Sequence, residues 1–283
     1  MTGALTIAAY ALRESTRRRV FVVVLILTCA FLGLYAVGTE AAFDATSSVD
    51  SNVGVDDQVL TGSTLLGLAM FTTLFLGCVL AVFLTLGAVR GDAERGLLQP
   101  LVVRPVGRTE VLAGRFAAAA GVCAGYVAAV YVAATLITGA AGGWWPDKVV
   151  SPGLGLVAGV ILIAGLALLG SIFLSATANG IAVFMAFGAG LAAGLLGQIG
   201  DALSVETLEN VAEVASWLLP FEALYQAGLN ALTEDARGAT GVIVQLGPFG
   251  GAQEGGTLLW LWSAAYLALL GLIARVGFAR RDL

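Results

Sequence analysis

The sequence contains no histidine, a single lysine and few charged residues of any kind. Without histidine, it lacks the usual imidazole base and the commonest metal ligand. Its three cysteines lie in apolar runs without C-x-x-C spacing, so we expect no disulfide framework. The lysine, Lys148, lies in WWPDKVV, and no G-x-x-x-x-G-K-[ST] phosphate loop occurs anywhere. These absences argue against an enzyme, and we expect neither a catalytic residue nor a metal site in this chain.

Apolar residues are what the chain has in abundance. Of its 283 residues, 59% are hydrophobic and only 12% are charged, and the mean hydropathy is +0.94, which is too apolar for a soluble domain of this length. Six apolar runs are each about long enough to cross roughly 30 Å of hydrocarbon. We therefore predict one all-α membrane domain over residues 1–283, with an amphipathic interfacial helix at 2–19 and spans at about 20–38, 65–89, 116–140, 153–174, 180–199 and 257–274.

The basic residues predict the orientation of these spans. Twelve of the 14 basic residues fall before the first span, between the second and third, or after the sixth, and only Lys148 and Arg237 fall elsewhere. Because basic residues favour the cytoplasmic side, both termini are predicted to be cytoplasmic. Fourteen of the 19 acidic residues then lie outside. The spans themselves carry almost no ionisable group, which argues against an ion-coupled carrier whose proton or ion relay lies within the membrane.

The segment 90–115, between the second and third spans, is rich in charged residues. It contains eight charged residues, five of them arginine, and is broken by glycines and prolines, which favours a structured docking surface over a plain solvated turn. Its residues Glu94, Gly96 and Leu97, then Arg104-Pro105 and Arg108, and finally Gly114-Arg115-Phe116 resemble the E-x-G-T-L, P-x-x-R and G-K-F signature of type 2 ABC exporter permeases. Leu97 replaces the usual Thr, and Arg115 replaces the usual Lys.

The resemblance extends to the layout of the chain and to its ending, FARRDL. Permeases of the nitrous-oxide reductase maturation transporter and of drug exporters are similar in layout. The resemblance implies an exporter permease in the plasma membrane that works as a homodimer with separate ABC ATPase subunits. These subunits bind the ATP and magnesium, so this chain itself is expected to have no cofactor. Membrane lipid is a further expected partner, and nucleic acid is not. The residues implied to couple to the ATPase are Glu94, Arg95, Gly96, Arg104, Pro105 and Arg108.

Small residues in the spans indicate where helices approach closely. Three G-x-x-x-G motifs lie within the predicted spans, at Gly121 and Gly125, Gly155 and Gly159, and Gly190 and Gly194. Packing within one subunit explains any single motif. In similar permeases, however, the first and fifth spans meet their copies, so the resemblance places Gly190 and Gly194 at a dimer interface. An apolar path there would suit a lipid-like or amphipathic cargo.

The segment 200–256, between the fifth and sixth spans, is predicted to be extracytoplasmic. An amphipathic helix is predicted at 205–219 with Ser204 as its N-cap, followed after Pro220 by a second short helix. Similar permeases carry a helical hairpin at this place, and the sequence leaves open whether it caps the outer surface or enters the membrane. A non-transport membrane scaffold or assembly factor for an extracytoplasmic enzyme is the alternative function. An intramembrane enzyme is disfavoured, because the spans contain no acid–base constellation.

Overall fold

The computed structural model describes residues 19–47, 56–85, 108–232 and 256–280, and these residues form eight helices and no strand. The helices, numbered in chain order, are α1 (Arg19–Ser47), α2 (Asp57–Thr85), α3 (Arg108–Gly142), α4 (Val150–Phe173), α5 (Ala176–Leu203), α6 (Glu206–Leu218), α7 (Pro220–Asn230) and α8 (Thr257–Ala279).

Six of these helices are long and apolar enough to cross a membrane, namely α1, α2, α3, α4, α5 and α8. The prediction of an all-α protein with six spans is thereby confirmed. A helix in lipid satisfies its own backbone hydrogen bonds. A long apolar run can therefore form a helix without hydrogen bonds to other parts of the chain. The cytoplasmic location of both termini stays a prediction, and residues 2–18 of the predicted interfacial helix lie outside the described residues.

Helix α4 is the centre of the bundle. It packs against α2, α3, α5, α7 and α8, while α1 packs against α2 and α3 at one side. Helices α2 and α4 are the most buried spans, and α1, α5 and α8 leave most of their surface exposed. One large apolar core runs through the bundle, and a smaller cluster lies where α3, α4 and α8 meet, formed by Leu112, Leu168, Ile172, Ala274 and Phe278.

Hydroxyl groups in the apolar helices are bonded locally. The side chains of Thr73 and Thr85 donate to the backbone oxygen four residues earlier, which satisfies a polar group without a distant partner. A buried hydrogen bond also joins two spans: the hydroxyls of Tyr35 on α1 and Thr138 on α3 are 2.6 Å apart. This bond fixes α1 against α3 in a direction that apolar packing alone would not specify.

Several helices extend beyond the predicted spans. Helix α1 continues to Ser47 and α2 begins at Asp57, so much of the segment 39–64, between the first two predicted spans, is helical. The Thr39 hydroxyl bonds back to the Tyr35 oxygen, and the Asp56 carboxylate accepts from the backbone N–H of Gln58 and Val59, which caps α2. Polar residues are therefore part of the last turns of α1 and cap the start of α2.

Ser204 has a different role from the one predicted. The N-cap of α6 is Val205, with no side-chain hydrogen bond, while Ser204 has a φ of 54°. The N–H of Val205 bonds to the Gly200 oxygen at 3.0 Å. This six-to-one bond across a left-handed residue is a Schellman motif, which ends α5 and satisfies one of its last carbonyls. Ser204 therefore terminates α5 and does not cap α6.

Candidate functional site: a hairpin buried in the helix bundle

Helices α6 and α7 form a hairpin between the fifth and sixth spans. Helix α6 folds back along α5, and glycines on α5 make this contact possible. A Cβ atom on Gly197 would lie 2.9 Å from the Ala212 Cβ, and one on Gly200 would lie 3.0 Å from the Glu209 backbone nitrogen. None of the described side chains of α6 is buried. This first arm of the hairpin therefore rests on the outside of the bundle.

The second arm, α7, is enclosed by the bundle. Pro220 occupies its first turn, where its fixed φ suits a helix start and its missing N–H costs nothing. Most of the following residues are buried, and they pack against α4, α5 and other helices. The backbone oxygens of Phe221 and Leu224 lie so close to α4 that a Cβ on Gly159 or Gly155 would contact them at 3.4 Å and 2.8 Å. The G-x-x-x-G pair of α4 thus packs against α7 within the subunit.

The turn of the hairpin lies deep in the bundle. Phe221 contacts the position of Gly190, which is 13 residues before the end of α5 at Leu203. At 1.5 Å per residue, this contact lies about 20 Å along α5 from its end. The ring of Phe221 also stacks on Phe187 of α5, with ring centroids 5.9 Å apart. The hairpin therefore enters the bundle to the depth of the apolar helices and does not merely cover its end.

A cluster of polar side chains is buried between α7 and α5. Glu222 and Gln226 on α7 are only 3% and 4% exposed. The Gln226 Nε2 donates to the Glu222 Oε1 at 2.8 Å, and the Gln198 Nε2 of α5 donates to the Gln226 Oε1 at 3.1 Å. The missing side chain of Gly194 provides the space for this carboxyl group, since a Cβ there would overlap the Glu222 Oε1. We call Gln198, Glu222 and Gln226 the hairpin polar cluster.

Burial changes the acidity of this carboxyl group. Loss of hydration raises the pKa of Glu222 from 4.5 to about 7, and the hydrogen bond from Gln226 opposes part of the rise. The carboxyl group can therefore take up or release a proton near neutral pH. An ionised carboxylate at this depth would need a new partner or water, so its protonation state and the position of the hairpin are physically linked.

The turn of the hairpin is attached to the sixth span. The Trp262 Nε1 of α8 donates to the backbone oxygen of Trp217 at the end of α6, at 3.0 Å. The two indole rings meet edge to face, with centroids 5.3 Å apart. Together with the contacts of α7, this places the hairpin between the fifth and sixth spans, so that a movement of either span would be transmitted to it.

Most of the residues predicted for ATPase coupling lie outside the described residues, namely Glu94, Arg95, Gly96, Arg104 and Pro105. Arg108 is the first residue of α3. Gly190 and Gly194 face α7 of the same chain, where Phe221 and Glu222 lie against them. That the two glycines also contact a second copy stays a prediction.

The sequence reasoning missed the hairpin polar cluster. In the second short helix predicted after Pro220, the apolar residues Phe221, Leu224 and Tyr225 are all buried. Glu222 was counted only among the acidic residues of the outer face. The available signal was the segment PFEALYQAGL, in which a glutamate and a glutamine four residues apart lie on one helical face among apolar neighbours.

The family of this chain follows from a comparison of its sequence with known proteins. The sequence profile of the family described as "ABC-2 family transporter protein" matches residues 5–283. No curated protein matches the chain significantly. The match extends over nearly the whole chain, including all six apolar helices and the hairpin. The chain is therefore a multi-pass membrane protein that belongs to the ABC-2 transporter family.

Proposed function

We propose that this protein is the membrane-spanning permease subunit of an ATP-driven exporter in the plasma membrane. The observation that carries the proposal is the family match over residues 5–283 of a chain whose sequence has no phosphate loop of its own. The energy for transport then comes from a separate ABC ATPase subunit, which binds the ATP and magnesium. In this proposal the chain itself is not an enzyme and holds no cofactor.

The ATPase docks on the segment 90–115, which we call the coupling loop. Support comes from its arginine-rich sequence and from the length of the helix that follows it. Helix α3 has 35 residues, or about 52 Å at 1.5 Å per residue, which exceeds the roughly 30 Å of a bilayer core. One continuous helix thus leads from Arg108, at the end of the coupling loop, into the bundle. A rigid helix of this kind transmits movement of the loop to α4, against which it packs.

Two copies of the chain form the transport path. Helix α5 has one face against α7 and an opposite face that is exposed, with apolar and small residues such as Met185, Gly188 and Leu195. We propose that this α5 face meets its copy, and that α1, which is also largely exposed, lies beside it. When the ATPases close, the two α5 helices shift, and each carries its hairpin with it because α7 is packed into the same bundle.

The proposal is tested by purifying the tagged protein gently from its native membrane. We expect a near-stoichiometric partner with a phosphate-loop ATPase sequence, and we expect its ATPase rate in the complex to differ from that of the isolated subunit. The variants Glu94→Ala and Arg104→Ala should weaken the complex by on the order of 2 kcal/mol each if these charges are buried on docking. Glu40→Ala is the matched control, because Glu40 is exposed on α1 at the end predicted to lie outside.

Three outcomes contradict the proposal. If the chain is recovered from intact membranes alone, or only with extracytoplasmic enzymes, the assembly-factor alternative is favoured. If Glu94→Ala and Arg104→Ala bind the ATPase as Glu40→Ala and the wild type do, the coupling loop is not the docking surface. The direction of transport is measured separately, by ATP-dependent movement of amphipathic fluorescent probes into inside-out vesicles. Movement out of such vesicles would contradict export.

A further inference from the structure

A groove runs between α3 and α8. Both helices pack against α4, but they contact each other only slightly. The space between them is a cavity of about 290 Å³, with Gly165 and Leu168 of α4 as its floor. A Cβ atom on Gly165 would lie 3.0 Å from the Leu267 Cδ1, so a larger residue there would require this side chain to shift. We call this space the α3–α8 groove.

The two ends of the α3–α8 groove differ in chemistry. Thr109 in the first turn of α3 and Arg275 near the end of α8 line one end, whereas Phe116 and Leu267 line the other. Because these pairs are seven and eight residues apart on their helices, the ends are about 10 to 12 Å apart. The residues between them are almost all apolar. The groove is thus an apolar channel with a cation and a hydroxyl group at one mouth.

The surroundings of the polar end are positively charged. Near this end, the helix segments 108–110 and 275–280 carry three arginines and one acidic residue, Glu110. Arg275 and Arg280 are exposed. On the predicted topology, this end lies at the cytoplasmic surface, where membranes present anionic headgroups that attract such residues. The apolar part of the groove opens from membrane-spanning helices, so the molecules that surround it are lipids.

We propose that the α3–α8 groove is a binding site for an anionic phospholipid of the cytoplasmic leaflet. One acyl chain lies along the groove over Gly165, and the phosphate lies at Arg275 and Thr109. A guanidinium forms paired, charge-assisted hydrogen bonds with phosphate oxygens, and the threonine hydroxyl donates one more. The site lies beside the first turn of α3, so a bound lipid would fix the helix that follows the coupling loop against α8. The binding step itself does not depend on the proposed transport function.

Native mass spectrometry of the full-length protein in detergent tests this site, with phosphatidylglycerol and phosphatidylcholine added in turn. We expect phosphatidylglycerol to be retained preferentially. Arg275→Gln should weaken phosphatidylglycerol binding about fivefold and leave phosphatidylcholine binding nearly unchanged. Arg280→Gln is the matched control, since Arg280 is also exposed but does not line the groove, and it should change binding by less than twofold.

A second variant tests the acyl-chain part of the site. Gly271 lines the groove, and a Cβ atom there would meet nothing within 4 Å, so Gly271→Leu fills space without displacing the protein. It should reduce retention of both lipids, whereas Gly121→Leu, at an equally open position of α3 away from the groove, should not. Three results would each overturn the proposal: the wild type retains the two lipids equally, Arg275→Gln and Arg280→Gln lose phosphatidylglycerol equally, or Gly271→Leu retains both lipids as the wild type does.

If a second copy or another protein covers the groove, the wild type will retain the two lipids equally or Gly271→Leu will leave their retention unchanged.

Discussion

The hairpin polar cluster predicts that the stability of this protein depends on pH through the carboxyl group of Glu222. The pKa of Glu222 is raised from 4.5 to about 7 because the group is buried. A rise of roughly 2.5 units corresponds to about 3 kcal/mol of differential interaction between the protonated and ionised forms. Since the folded state holds this proton more tightly than the unfolded state, the free energy of unfolding decreases as pH rises from about 4.5 to 7 and is constant above that range.

The variant Glu222→Gln isolates this effect. Glutamine has nearly the same shape and stays neutral, and its Oε1 can accept the same hydrogen bond from Gln226. Wild type and variant should therefore differ least near pH 4.5, and the variant should gain up to about 3 kcal/mol over the wild type by pH 8. For a chain of this size, this gain is on the order of several degrees in Tm.

The measurement is a series of thermal scans in detergent between pH 4.5 and 8, followed by intrinsic tryptophan fluorescence. Glu213→Gln is the control, because Glu213 is exposed on α6 in the same hairpin. The difference in Tm between Glu213→Gln and the wild type should stay the same across this pH range, whereas the difference between Glu222→Gln and the wild type should grow. A Glu222→Gln difference that is equally large at every pH would refute the reasoning, since it would mean that the carboxyl group is hydrated or paired in the folded protein.

Three further predictions concern helix contacts. Gly194→Ala should destabilise the protein by roughly 1 to 3 kcal/mol in denaturation assays, because the added methyl group overlaps the buried carboxyl group, whereas Gly188→Ala, with open space around it, should not. Tyr35→Phe and Thr138→Val should each cost about 1 kcal/mol, and the double variant should cost less than their sum, since both remove one hydrogen bond. In a background without the native cysteines, Met185→Cys should form a disulfide between copies and Gly194→Cys should not; cross-linking through Gly194→Cys instead would favour the interface residues predicted from the sequence.

The motif of the coupling loop and the Gly190–Gly194 pair differ in how much the sequence alone can establish. The motif at 94–108 identifies a family through its resemblance, and the family match agrees with it. The Gly190–Gly194 pair indicates only that something approaches closely at that point. The structure places α7 there, at a separation of about 30 residues along the chain. A stripe of small residues cannot specify whether its partner is another part of the chain or a second copy.

The sequence by itself determined the six spans, the absence of strands among the described residues and the family. These properties are local: a run of about 20 apolar residues becomes a helix in lipid because its backbone can satisfy its hydrogen bonds only within the run. Only the tertiary structure decided the position of the hairpin and the state of Glu222. An eleven-residue helix with one glutamate and one glutamine has the same sequence pattern on a surface or inside a bundle. Its burial depends on Gly155, Gly159 and Gly194, which come from two other helices and leave the space that α7 fills.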